Sequence, residues 1–311
     1  MSSPFSGRRA LRTASALTLT LGTGLAAPLL AAGLAGAATP SATAAYNASD
    51  QAIDYTAAPG QTNKVTITSS TTTLSDITYV IDDAVPITAG DGCTYPSGTD
   101  HTKVSCTVTT YDTEDPYPTL KVDLGDGADT AAYANTTNQA YYFASFDLGA
   151  GKDTYTETGR VGGDSVDGGA DDDNLTVGPD TVVLGGDGND TLHAGAGSIA
   201  QGGEGNDTIY SSGTDAAADG GTGNDVLYGG DGRQNLSGGD GDDRIYGGKG
   251  DDFLYGGKGD DFLYGGKGDD TIYGNSGVDT IYGNSGDDAL YGGPGKDVLS
   301  GGPGKNTVHQ D

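Results

Sequence analysis

Ten contiguous nine-residue units fill Gly220 to His309, and so short a period leaves few folds open. One unit, GGKGDDFLY, spans Gly247–Tyr255 and recurs unchanged at Gly256–Tyr264. Its neighbours vary it as GGDGDDRIY, GGKGDDTIY, GNSGDDALY and GGPGKDVLS. Glycines open the unit. The sixth place is Asp in eight of the ten units, and the eighth is always Leu, Ile or Val, from Leu227 to Val308. A unit this small cannot bury a core alone, so copies must stack into a quasi-one-dimensional coil.

The residue types say what such a stack needs. Glycine admits positive φ and close backbone approach, as a tight turn requires. The last three places read as a short strand with one apolar side chain facing in and its neighbours facing out. Stacking layers about 4.8 Å apart satisfies strand hydrogen bonds and aligns the aliphatic side chains. It also aligns the Asp carboxylates, which repel one another at that spacing. A hard cation removes the conflict, because calcium accepts six to eight oxygens from carboxylates and turn carbonyls. The bias toward the shorter acid is strong: the chain has 41 Asp and only three Glu, at 114, 157 and 204. A glycine-rich linker would need neither the Asp nor the aliphatic period.

On these residues the pattern resembles the RTX, or haemolysin-type, calcium-binding nonapeptide repeat, G-G-x-G-x-D-x-U-x. The resemblance covers about Gly185 to His309. It implies a parallel β-roll with two nonapeptides per turn and several calcium ions in the glycine turns between layers. The sixth-place candidates for metal are Asp190, Asp207, Asp225, Asp243, Asp252, Asp261, Asp270, Asp279, Asp288 and Asp297. Two nonapeptides per turn would put aspartates 18 residues apart on one edge. That makes Asp207 to Asp297 an unbroken series, joined by Asp190 if the eight-residue unit Ala194–Gln201 forms a shortened turn. The other edge reads Ala216, Gln234, Asp252, Asp270, Asp288, Asn306, so its carboxylates are confined to the middle. The chain departs from the family in two respects. The family's usual export signal is C-terminal, and many members carry a capping block after the repeats. Here an N-terminal leader pattern stands, and only Gln310 and Asp311 follow the repeats.

The leader pattern is Arg8, Arg9 and Arg12 followed by a diluted apolar stretch from Ala14 to about Ala38. Small-residue sites, Ala35-Gly36-Ala37 or Ala42-Thr43-Ala44, come next, which reads as a signal peptide over residues 1–44 and a secreted, extracellular protein. Arg8-Arg9 raises twin-arginine export, although Arg12 stands where that signal favours an apolar residue. No transmembrane anchor is expected, because no segment is apolar enough to span a bilayer. Removing residues 1–44 takes the formal charge from −29 to −32, which makes nucleic acid and anionic membrane poor direct partners. Cys93 and Cys106 read as a disulfide closing a hairpin.

Between leader and repeats, Thr-, Val-, Ile- and Tyr-rich runs such as Lys64–Ser69 and Lys103–Thr110 alternate with turn residues. The expected class is all-β: a small antiparallel β domain over 46–122, a wide-turn transition coil over 123–184, and the roll over 185–309. In the transition, DLGDGADT at Asp123–Thr130 returns as DLGAGKDT at Asp147–Thr154, making Asp129 and Asp153 secondary calcium candidates. Gly168–Thr176, GGADDDNLT, is another irregular unit.

Catalytic motifs are sparse. His101, His193 and His309 are scattered, and Gly163-Asp164-Ser165 imitates an esterase start without a matching Asp-x-x-His. The expectation is a non-catalytic structural or adhesive module switched on by calcium. The alternative is a hydrolase whose unrecognised site lies in the N-terminal segment. Tyrosines at the ninth place (Tyr228, Tyr246, Tyr255, Tyr264, Tyr273, Tyr282, Tyr291) face outward on a roll. They would stabilise the sheet or grip a carbohydrate or cell-surface partner. Lys249, Lys258 and Lys267 at the third place relieve the local negative field.

Overall fold

The computed structural model describes residues 40–310 except 72, 74, 112–115, 138–141, 160 and 161. Most of the expected leader lies outside the described residues. Those described form 28 strands and no helix, arranged as two sheets of fourteen strands.

The chain enters through β1 (Ala42–Asn47) and β2 (Ala52–Thr56) and crosses to β3 (Lys64–Thr71). It then leaves the coil for β4 (Asp76–Asp82), β5 (Ile87–Ala89), β6 (Cys93–Thr94) and β7 (Lys103–Thr109). On its return, β8 (Pro118–Asp123) lies parallel on β2, with Ile53 opposite Leu120. Next, β9 (Thr130–Asn135) lies parallel on β3, with Val65 opposite Ala131. From β10 (Phe143–Asp147) to β28 (Thr307–His309) successive strands alternate between the two sheets, each parallel to the strand one coil earlier. In the repeats Ile245 pairs with Leu263 and Leu263 with Ile281, so two nonapeptides complete one turn of a parallel β-roll.

The pattern of burial follows from the unit. Eighth-place Leu227, Leu236, Ile245, Leu254, Leu263, Ile272, Ile281 and Leu290 are all fully buried in a single continuous core. In the middle repeats, from Arg244 to Ser285, the strands are longer than the last three places. Phe253–Lys258 runs from the seventh place of one unit to the third place of the next. Parallel pairing continues through the glycines because the next layer lies directly above them.

The insertion covers the N-terminal end of the coil. In the second sheet β4 is antiparallel on β3, β7 on β4 and β6 on β7; in the first, β1 is antiparallel on β2, with β5 parallel on β1. This blunts two sheet ends that would otherwise offer unpaired backbone. Cys93 faces Cys106 across β6 and β7, and the two are joined in a disulfide. The described residues from 40 to 310 form one compact unit. Both sheets and the core run without a break across the boundaries expected at 122/123 and 184/185. At the expected leader boundary, Ala42 and Ala44 are fully buried in β1, Ala42 opposite Ile87 of β5 and Ala44 opposite Tyr55 of β2.

Candidate metal centre

The coil has two edges. At the first the chain turns into the second sheet, and at the second it turns back. The sixth-place aspartates close these turns. On the first edge, backbone N–H groups donate to the Oδ1 of the aspartate one layer on: Asp190 to Asp207 (2.8 Å), Asp207 to Asp225 (2.7 Å) and Asp225 to Asp243 (2.8 Å). The series continues from Asp243 to Asp261 (2.8 Å), Asp261 to Asp279 (3.0 Å) and Asp279 to Asp297 (3.0 Å). The shortened unit is tolerated: Asp190 and Asp207 are 17 residues apart and still in register.

On the second edge the same ladder runs Gln234, Asp252, Asp270, Asp288, Asn306. Both of its ends are amides whose nitrogens point at turn carbonyls. Gln234 Nε2 donates to the Gly213 carbonyl at 2.7 Å, and Asn306 Nδ2 to that of Gly302 at 2.8 Å. Upstream on this edge lies Asp164, whose Oδ1 accepts the Ala144 N–H at 2.6 Å. Burial, with Glu157 beside it, pushes the Asp164 carboxyl up to about 8.

Each ladder leaves one oxygen over. The Oδ2 atoms of Asp190, Asp207, Asp225, Asp243, Asp252, Asp261, Asp270, Asp279 and Asp288 are buried with no hydrogen-bond partner. These aspartates are at most 1% exposed. Asp297 is half-buried, and its Oδ2 accepts Gln310 Nε2 at 3.2 Å. First-place glycines are needed beside these oxygens: a Cβ on Gly256 would lie 2.3 Å from Asp261 Oδ2 and 2.6 Å from the Gly274 carbonyl oxygen. Burial raises the carboxyl pKa, to about 6 for Asp225, Asp243 and Asp252 and about 7 for Asp207, Asp261 and Asp270. An orphaned buried carboxylate oxygen calls for a proton or a cation. Among the described residues no three His, Cys, Asp or Glu side chains gather as metal ligands. Each layer supplies one carboxylate, and the remaining donors for a hard cation would be turn carbonyls and the carboxylate of the adjacent layer. That all-oxygen set fits calcium.

A family model described as the RTX calcium-binding nonapeptide repeat (4 copies) matches residues 180–198, 199–215, 218–236, 237–272 and 273–308. This region is a run of RTX repeats. No curated protein matches the chain. The RTX region is a calcium-binding β-roll.

Every sequence-derived candidate sits at a turn of the roll. Asp129 and Asp153 lie on the first edge, and so does Asp173, which the sequence reading did not single out although it holds the sixth place of GGADDDNLT. A second ladder also went unread. Fifth-place side chains staple the turns in the opposite direction: Asp242 Oδ1 accepts the N–H of Asp260 at 2.8 Å, and Asp260 Oδ1 that of Val278 at 2.7 Å. The recurring Asp or Asn at the fifth place was its signal. Two of the three third-place lysines pair across layers, Lys249 with Asp231 and Lys258 with Asp240, each at 2.8 Å.

Proposed function

We propose that this is a secreted, non-catalytic structural module that folds when it meets calcium outside the cell. The carrying observation is the row of buried aspartate oxygens without partners on both edges of the RTX roll. Empty, those edges combine desolvation with repulsion between layers, and the glycine-rich turns add a large entropic cost. Calcium binding to the folded coil offsets both, since affinity for the folded state adds to folding free energy. Export fits this scheme, because the chain would cross the membrane unfolded and meet the ion outside. The intact β1 supports leader cleavage upstream of it, at the Ala35-Gly36-Ala37 site.

The histidines support a non-catalytic reading. Each one packs on a tyrosine ring: His101 on Tyr95 (4.4 Å), His193 on Tyr210 (4.6 Å) and His309 on Tyr291 (4.9 Å). The tyrosine ladders favour sheet stabilisation over a carbohydrate platform. Tyr210 to Tyr282 on one sheet and Tyr255 to Tyr291 on the other stack ring on ring, with centroids 4.8–5.3 Å apart. Each inner ring face is thus covered by its neighbour, whereas sugar stacking needs a free face. Adhesion to a cell surface would then use other features.

A far-UV circular dichroism titration of the full chain tests the proposal. Calcium at roughly 0.1–1 mM should convert a largely disordered repeat region to β-structure, and magnesium should do so poorly because it demands six short octahedral contacts. A roll that stays folded in excess chelator would defeat the proposal.

A further inference from the structure

We infer that the calcium-bearing edge begins well upstream of the RTX repeats, with three further sites formed by Asp129 with Asp153, Asp153 with Asp173, and Asp173 with Asp190. The inference rests on the calcium reading above and extends it to coils that precede the matched RTX repeats, which begin at residue 180.

The hydrogen-bond ladder is the same one. The N–H of Asp129 donates to Asp153 Oδ1 at 2.7 Å, that of Asp153 to Asp173 Oδ1 at 2.8 Å, and that of Asp173 to Asp190 Oδ1 at 2.8 Å. The sequence separations are 24, 20 and 17 residues, so the nine-residue period is lost while the edge stays in register. Oδ2 of Asp129, Asp153 and Asp173 is buried and unpartnered, as in the repeats, and the three residues are 2–3% exposed.

The turn backbone matches as well. In the RTX coils the Gly250 N–H donates to the Lys267 carbonyl at 2.7 Å; upstream, that of Gly127 donates to Ala150 at 2.8 Å and that of Gly151 to Ala170 at 2.9 Å. A Cβ on Gly151 would lie 1.4 Å from the Gly127 carbonyl oxygen, so these turns stack as closely as Gly259 on Gly241, where the distance is 2.1 Å. One place differs: Leu124 and Leu148 hold the first place, both buried. The wider coils bury a leucine there, whereas in the 18-residue coils a Cβ on first-place Gly256 would meet Asp261 Oδ2 at 2.3 Å.

The edge has a built end. Asn63 holds the sixth place of the first coil, and its N–H donates to Asp129 Oδ1 at 2.6 Å. Its Nδ2 donates to Asp83 Oδ2 at 2.6 Å, which Tyr55 Oη also reaches at 2.5 Å, while Asp83 Oδ1 accepts the Lys64 N–H at 2.8 Å. Asn63 Oδ1 is buried, unpartnered and next to the first aspartate of the series. A neutral amide tied into a hydrogen-bonded cap thus closes the row of carboxylates where the antiparallel insertion covers the coil.

The test is calcium content per chain after equilibrium dialysis, for the full chain and for Asp153→Asn and Asp243→Asn. Asparagine keeps the Oδ1 acceptor and removes the charge, and Asn306 shows that the ladder accepts it, taking the Asp288 N–H at 2.8 Å. Each variant should lose one to two ions. A wild-type calcium content in Asp153→Asn beside a loss in Asp243→Asn overturns this inference and leaves the RTX reading intact. No bound calcium in any of the three overturns both. Anomalous scattering from wild-type crystals grown with calcium or terbium needs no variant: peaks between Asp129, Asp153 and Asp173 support the extension, and peaks only from Asp190 onward overturn it.

Discussion

The backbone N–H of Asp243 donates to Oδ1 of Asp261 at 2.8 Å, while Oδ2 of the same Asp261 carboxylate is buried without a partner. One side chain therefore has two jobs: a neutral-compatible staple between layers, and a charge that only a proton or a cation relieves.

Separating those jobs gives the first prediction. Asp261→Asn keeps the staple and removes charge from two adjacent sites, so the metal-free coil should tolerate it and calcium cooperativity should fall. Asp261→Ala also strands the buried Asp243 N–H, costing a further ~1–3 kcal/mol. Both should weaken cooperativity more than the matching Asp288 variants, because the next layer there is already Asn306. Calcium titrations of the four variants check this; equal effects at 261 and 288 would refute the inequality of the two edges.

Gly256→Ala should be worse than its size implies. The added Cβ meets both Asp261 Oδ2 and the Gly274 carbonyl oxygen below 3 Å, so the turn must open. The expected outcome is a midpoint for calcium-induced folding raised several-fold, measured by circular dichroism. A midpoint unchanged from wild type would show that the turn has slack.

Protons should stand in for calcium. Burial raises the carboxyl pKa of Asp225, Asp243 and Asp252 to about 6 and of Asp207, Asp261 and Asp270 to about 7, from 3.8. A carboxyl with a raised folded-state pKa binds its proton more tightly when folded. Its stabilising contribution is fully present below about pH 4 and is lost as pH rises through 6–7. In chelator, β-structure should thus be greater at pH 5 than at pH 7.5, and calcium affinity should fall as pH drops below 6. More calcium-free β-structure at pH 8 than at pH 5 would contradict the assignment.

The N-terminal end should outlast the repeats without calcium. Its first coils and cap bury large side chains, including Tyr55, Ile53, Ile67, Ile81, Ile87 and Leu120, whereas the RTX units from Leu227 to Leu290 each bury one aliphatic at the eighth place and the last unit leaves Val308 exposed. Limited proteolysis in chelator should leave a disulfide-bearing fragment ending near residues 120–160. Uniform digestion of both halves would show that this end also needs the ion.

Ile67→Ala should cost about 2–5 kcal/mol, since the side chain is fully buried beside Tyr133 on the neighbouring strand. The loss should appear in thermal unfolding with chelator as well as with calcium. A loss seen only with calcium would place the folding nucleus in the repeats.

Much of this molecule was legible in the chain because its repeat is local. Glycines, an Asp at the sixth place and an aliphatic at the eighth dictate a turn, a carboxylate and an inward side chain within nine residues. A stacked coil with a row of sixth-place aspartates therefore followed from pattern, and the parallel β-roll with its calcium from the resemblance to RTX repeats that this pattern carries. Three features were decided only when layers met. Asp129 and Asp153 were legible as candidates, but their alignment with Asp173 and Asp190 on one edge depends on contacts 17 to 24 residues apart. The merging of the N-terminal segment into both sheets depends on β8 and β9 returning to β2 and β3 after the insertion. Likewise, the burial of Ala42 and Ala44 in the core rests on pairing to β2 and β5. A period reports what each unit presents to its neighbours, and stacking alone determines which neighbours it meets.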